Sequence, residues 1–229
     1  MIAVIGDIHG CHLTMLELYE QIIKKYPDIT IYSVGDLVDR GNKSFEVMEF
    51  VIENKILFTP GNHEYMFYYF FKEPTSTFAK SWLFNGSEAT LESYDEHGEK
   101  VFEHIEYIKK APFYFDTADC FISHAGISKE YKGILDPNFE NDRSSLYDLI
   151  NKDFRLDRGV LWLRDQALNI GKLQIIGHTK HQEITLDEEA NAIYIDTGAY
   201  VGNKLSAVIV DKEQIVDVID VKTHLNDII

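Results

Sequence analysis

The residues of this 229-residue chain whose types and places could do chemistry are Asp7 and His9, Asp36 and Asp39, Asn62 and His63, and the later His124 and His178. They offer carboxylate, amide and imidazole donors and no thiolate. Mixed oxygen and nitrogen donors suit Mn, Fe, Zn or Co better than Ca. A set of this size is enough for two divalent ions that share a bridging carboxylate. Such ions lower the pKa of bound water and neutralise charge on a transferring group, which is hydrolytic chemistry. Gly6, Gly35, Gly61 and Gly177 each stand directly before one of these donors, where a missing side chain lets the chain turn sharply and bring backbone close to a ligand. A single Gly-Asp is usually a turn, and a single histidine is usually a satisfied core residue. The ordered combination is what carries the reading.

The elements must bring these donors to one place. Ile2 to Ile5 reads as a short buried strand ending in Gly6-Asp7. Leu13, Leu16, Tyr19, Ile22, Ile23 and Tyr26 keep helical spacing until Pro27 stops the helix. A second strand covers Ile29 to Val34, a helix roughly Ser44 to Glu53, and a third strand Ile56 to Thr59. This alternation implies parallel pairing with right-handed crossovers. Ligands of an open parallel sheet bind beyond the carboxyl ends of the strands, so three successive strand ends should converge on one crevice. His124 and His178 follow two further apolar runs in the same way.

Residues of about 65 to 110 read as a helical insertion with a break near Pro74. From Phe113 strands return, at Phe113 to Phe115, Cys120 to Ser123, Leu173 to Ile176, Ala192 to Ile195, Ser206 to Val210 and Ile215 to Val221. Between them, in the stretch Lys129 to Gly171, Asp136-Pro137 and Asn138 to Asp142 read as loop, with short helices on either side of Arg155 to Gly159. Residues after Val221 read as a short loose tail. The whole chain, 1–229, is expected to form a single domain.

Composition narrows the class. Hydrophobic residues make up 45% and charged residues 26%, as in ordinary globular proteins. The longest apolar run, Tyr65 to Phe71, is too short to span a membrane and is expected to be core packing. The start carries no signal-peptide pattern, and a cytoplasmic location is expected. The formal charge is 22 − 38 = −16, which argues against nucleic acid and anionic membrane as partners. Cys11 and Cys120 are too few for a disulfide framework.

Gly6-Asp7-Ile8-His9-Gly10, Gly35-Asp36-Leu37-Val38-Asp39-Arg40-Gly41 and Gly61-Asn62-His63-Glu64 resemble the three signature blocks of the calcineurin-like metallophosphoesterases, and within them the phosphoprotein phosphatase family. His124-Ala125-Gly126 and Gly177-His178-Thr179 resemble its two later histidine blocks. Trp82-Leu83-Phe84-Asn85-Gly86, Trp162-Leu163-Arg164 and Ile195-Asp196-Thr197-Gly198-Ala199 resemble the bacterial and phage branch. The resemblance implies an α/β sandwich of two mixed β-sheets flanked by helices. It implies that Asp7 and His9 bind a first ion, that Asp36 bridges, and that Asn62, His124 and His178 complete a second. Manganese is the expected metal, with Fe, Zn or Co as fits. A hydroxide between the ions would attack phosphorus in line. Asp39 and His63 match an acid pair that protonates the leaving group, Arg40 a phosphate clamp, and Arg164 a second clamp.

Such residues make sense without the family. Two ions and two arginines supply the local positive field that a surface of charge −16 lacks. The planar fork of arginine pairs with two phosphate oxygens. A histidine oriented by an aspartate is a good proton donor near neutral pH. The expected activity is hydrolysis of phosphomonoesters, with phosphoserine or phosphothreonine in proteins favoured over a small phosphorylated substrate. The alternatives are a symmetrical diadenosine tetraphosphate hydrolase and, remotely, a non-catalytic scaffold. His12, His97, His104, His181 and Cys11 are not expected to be ligands. The acidic runs at Asp95-Glu96 and Asp187-Glu188-Glu189 are expected to be solvated surface.

Overall fold

The computed structural model describes residues 1–228. Its first sheet has five strands. β1 (Ile2–Ile5) lies at the centre, parallel to β2 (Thr30–Ser33), which is parallel to β3 (Leu57–Phe58). On its other side β1 runs antiparallel to β9 (Lys204–Asp211), which pairs with β10 (Gln214–Lys222). The second sheet runs in the order β4 (Tyr114–Asp116), β5 (Phe121–Ser123), β6 (Gln174–Ile176), β8 (Ala192–Tyr194) and β7 (Thr185–Asp187). Its central pairs β5–β6 and β6–β8 are parallel and its outer pairs antiparallel. Both sheets are therefore mixed, as the family resemblance implies.

The two-residue period of a strand explains how the layers adhere. On β1, Ile2 and Val4 face the second sheet and pack with Ile122, Ile175, Ile193, Val208 and Val210. Ala3 and Ile5 face the helices and pack with Leu18 and Ile22 of α1 (His12–Lys25) and Val47 and Val51 of α2 (Ser44–Glu53). The expected insertion is helical: α3 (Asn62–Lys72), α4 (Thr77–Trp82), α5 (Ser87–Ser93) and α6 (Val101–Lys110). The Tyr65 to Phe71 run lies on α3, and Met66 and Phe67 are buried in the same core as α1 and α2. No helix among the described residues is long and apolar enough to cross a membrane.

Four expectations are corrected. The third strand holds only Leu57–Phe58, and Asn62 and His63 form the first turn of α3 instead of hanging from a strand end. Strand β7 was not foreseen, because three residues leading into an acidic run give almost no alternation to read. The helix expected before Arg155 is there, as α7 (Ser144–Asp153) with Leu146 and Ile150 buried, but the one expected after Gly159 is not, since residues 160–171 hold no helix. The segment after Val221 is not loose. The buried Asp227 carboxylate accepts the Leu13 and Thr14 N–H groups at 3.0 and 2.8 Å and the Thr14 hydroxyl at 2.7 Å. It thereby caps α1, whose own N-cap Cys11 makes no side-chain bond.

Candidate metal centre

Asp7 and His9 stand on the turn after β1, and Asp36, Asp39 and Arg40 on the loop after β2. Asn62 and His63 open α3, His124 follows β5, and His178 follows β6. Asp7, His9, Asp36, Asp39, Asn62, His63, His124 and His178 are all buried. The turns that deliver them are tight. Nine non-glycine residues among those described have positive φ, and five are His9, Asp36, Asp39, Arg40 and His178. Each such residue costs ~1–3 kcal/mol, so the surrounding structure must hold them there. The closest approaches use glycine. A Cβ on Gly61 would sit 2.0 Å from Asp36 Oδ1, and one on Gly177 would sit 2.1 Å from Asp7 Oδ1.

Asp36 is the hub, with two sets of donors around it. His124 Nδ1 lies 2.9 Å from the Val34 carbonyl. A carbonyl only accepts, so Nδ1 carries the proton and Nε2 keeps a lone pair. That lone pair faces Asn62 Oδ1 at 3.1 Å, His178 Nδ1 at 3.1 Å and Asp36 Oδ1 at 3.5 Å. Donor atoms ~2.0–2.2 Å from one ion lie ~3.0–3.5 Å from each other. His178 Nε2 is a buried atom with no partner. On the other side His9 Nδ1 donates to the Val38 carbonyl at 2.9 Å, and His9 Nε2 lies 3.4 Å from Asp36 Oδ2. The donors fit two divalent ions, with Asp36 able to face both.

The protonation states agree with that use. Burial holds the imidazoles of His9, His124 and His178 below their ordinary pKa, so they stay neutral and able to ligate. Burial by itself would raise Asp36, but the positive charge on His63 and Arg40 beside it holds its carboxylate well below the usual range. Asp7 goes the other way. Burial, then the Asp196 and Asp36 carboxylates, push it well above its ordinary value, so added positive charge would stabilise this corner.

Two placements differ from the expected partition. The donor atoms closest to one another on the first side belong to His9, Asp36 and His63, with Asp7 outside that set. The Asp7 carboxylate instead accepts the His178 N–H at 3.0 Å. Arg40 aims at the centre but spends its guanidinium there: Nη1 donates to His9 Nε2 at 2.8 Å, while the group stacks on Tyr200 at 4.3 Å. Arg164 is exposed and makes no hydrogen bond to the other site residues. Its charge nevertheless lowers the pKa of both His124 and His178, which places it within electrostatic reach.

His63 and Asp39 form a pair. His63 Nδ1 lies 2.7 Å from Asp39 Oδ2, which leaves Nε2 turned toward Asp36. Burial opposes the charged imidazole, yet Asp36 and Asp39 together raise its pKa above the ordinary value. Asp39 is itself fixed by Trp82, whose Nε1 donates to Oδ2 at 2.8 Å, and by the Thr90 hydroxyl, which donates to Oδ1 at 2.6 Å. Sequence reasoning singled out the Trp82 block without assigning this bond, and it missed Thr90. It also gave no role to Glu64. The buried Glu64 carboxylate accepts four backbone N–H groups, from Asp36, Leu37, Val38 and Gly61, at 2.7–3.1 Å. One side chain thus ties the loop after β2 to the start of α3. Its place in the Gly61-Asn62-His63-Glu64 block was the available signal. Asp196, raised to about 6 by burial, lies close enough to Asp7 to push its pKa up, and it too was quoted without a role.

Comparison with known proteins now bears on this geometry. The chain is 32% identical over 226 residues to the asymmetrical bis(5'-nucleosyl)-tetraphosphatase PrpE of Anoxybacillus flavithermus, covering 90% of this chain and 88% of that one. A crystal structure of a putative diadenosine tetraphosphatase superposes with a TM-score of 0.64 at 18% identity, over 98% of this chain and 94% of its own. The cold-active protein-tyrosine phosphatase of a psychrophilic Shewanella species does so with 0.62 at 16% identity, over 93% and 80%. The family model of the calcineurin-like phosphoesterases matches residues 1–215. The chain is a member of the calcineurin-like metallophosphoesterase family.

Proposed function

We propose that this metallophosphoesterase hydrolyses the phosphoanhydride chain of dinucleoside tetraphosphates, cutting it asymmetrically. The observation that carries the hydrolytic reading is the convergence of buried Asp, Asn and His donors on Asp36. Similarity to the tetraphosphatase PrpE over nine-tenths of the chain supports the substrate class. In this reading Asp7, His9, Asp36, Asn62, His124 and His178 hold two divalent ions, with Mn2+ the first candidate and Fe, Zn or Co chemically similar. Bound there, the ions would supply water of lowered pKa and offset the charge of the phosphates.

The chain's own residues do the rest. Arg40 and Arg164 bind phosphoryl oxygens and orient phosphorus. Asp39 holds the His63 Nδ1–H and directs Nε2 at the leaving oxygen. Trp82 and Thr90 stop Asp39 from rotating away. The high negative charge of the surface leaves nucleic acid an unfavourable partner.

One feature favours a second reading, phosphoserine or phosphothreonine in proteins. A nucleotide leaves as a weakly basic phosphate oxygen and needs little help from an acid. A serine or threonine alkoxide is strongly basic and needs a full proton, which the Asp39–His63 pair is built to give. The deciding experiment compares kcat/KM for diadenosine tetraphosphate and for phosphoserine and phosphothreonine peptides in one manganese buffer, with products identified. AMP with ATP is the expected pair. Two ADP would make the cut symmetrical, and a tenfold preference for phosphopeptides would replace the proposal with the second reading.

A further inference from the structure

The two ends of the second sheet carry unlike cavities, and the metal-binding histidines stand between them. At one end β4 runs antiparallel to β5 with Tyr114 opposite Ser123, so Phe113 stands at the same sheet edge as His124. Pro60 comes two residues before Asn62, and Tyr65 lies one turn into α3. With Tyr68, Tyr69, Phe154 and Lys109 these residues wall a cavity of about 170 Å³. An apolar cavity of ~150 Å³ takes a benzene ring. At the other end, beyond β6 and β8, a larger groove is lined by Arg164, Thr179, His181, Asp187, Glu188 and Tyr194.

The first cavity is built for a flat aromatic ligand. Tyr65 and Tyr69 lie 4.5 Å apart, Tyr65 and Phe154 5.5 Å, and Phe113 and Phe154 stack at 4.3 Å. The Arg155 guanidinium lies over both Tyr69 and Phe154, and Lys109 stands at the wall, so cations border the aromatic surface. Tyr65 is only 7% exposed, and its hydroxyl is enclosed beside the Tyr69 hydroxyl and the Arg155 guanidinium, so it offers the cavity its ring.

We infer that this cavity holds one nucleobase of the substrate, stacked on Tyr65, Phe113 and Phe154. The inference rests on the dinucleotide reading given above and deepens it. A symmetric substrate is cut asymmetrically only if its two ends are bound differently. Here one base enters an aromatic cavity and the other lies over a polar, partly acidic groove. That difference sets which phosphorus rests over Asp36.

The test uses the metal-loaded protein and two variants. Phe113→Leu removes one aromatic face, and Phe154→Leu removes another. Steady-state turnover of diadenosine tetraphosphate is measured beside binding of adenosine, which has no phosphate, by saturation-transfer NMR. Loss of base stacking predicts a KM about tenfold higher for Phe113→Leu, with kcat little changed. Phe154→Leu should raise KM severalfold, and adenosine affinity should fall in parallel. Wild-type KM and wild-type adenosine affinity in both variants would overturn the cavity assignment and leave the activity standing. If the wild-type protein fails to cut the dinucleotide, the proposed function falls separately. The adenosine titration then decides the cavity: binding that Phe113→Leu weakens upholds it, and no binding overturns it.

Discussion

Two imidazoles face Asp36 from opposite sides, and their surroundings differ. His124 and His9 are oriented alike, each with Nδ1 donating to a valine carbonyl at 2.9 Å. At His124 the free nitrogen meets an amide oxygen, a second imidazole and a carboxylate. At His9 it already accepts a hydrogen bond from Arg40. The His124 half is therefore short of positive charge, whereas the His9 half carries its own. An ion entering the His9 half must compete with a guanidinium for one lone pair. A displaced Arg40 would be released toward the phosphoryl group, so metal and phosphate binding should be coupled there.

The sharpest way to break this comparison is to remove what both halves share. Asp36→Ala should strip both ions and lower kcat/KM by more than ~10³-fold, beyond the usual loss of a single electrostatic stabiliser. Retention of even one equivalent of metal, read by mass spectrometry of the purified variant, would show that the halves do not depend on a common carboxylate. Next in size, His63→Asn should cut kcat by ~10²–10⁴-fold, the worth of a positioned acid, with metal content intact. The loss should shrink for substrates with acidic leaving groups, and an equal loss across a leaving-group series would rule out proton donation.

Arg40→Ala separates the halves directly. Removing a half-buried cation near an ion site relieves repulsion of up to ~4 kcal/mol at close range and moderate dielectric. Calorimetric titration should therefore show tighter binding of the weaker ion, while KM for a phosphorylated substrate rises by ~10-fold or more through the lost charge-assisted bonds. Two identical binding steps in the wild-type protein would remove the contrast between His9 and His124. Smallest of all, Asp227→Asn should lower stability by ~1 kcal/mol through the weakened α1 cap, seen in denaturant unfolding, with kcat unaffected.

Much of the fold was legible because its signals are local. The apolar runs of β1 and β2 and the helical spacing of α1 and α2 can be counted within a dozen residues. The donors were legible for the same reason, since each lies at or near a strand end and four of them, Asp7, Asp36, Asn62 and His178, directly follow a glycine. What was not legible is mostly long-range. Thr90 bonds Asp39 across 51 residues and Asp227 bonds Thr14 across 213. No spacing rule connects such partners, so a polar C-terminal segment looked like a tail. Arg40 was legible as a phosphate clamp by its motif, but its stacking on Tyr200 and its bond to His9 follow from tertiary packing alone.

The glycines before Asn62 and His178 have a consequence for how freely this chain can vary. At Gly61 and Gly177 a single added carbon would come within 2.0 and 2.1 Å of a carboxylate oxygen of Asp36 and Asp7, far inside contact distance. Neither residue bears a functional group, yet each reserves a volume that a reactive side chain fills. In a saturation library screened for activity, these two positions should tolerate as few replacements as the ligands themselves, and a compensating change would have to move a whole turn.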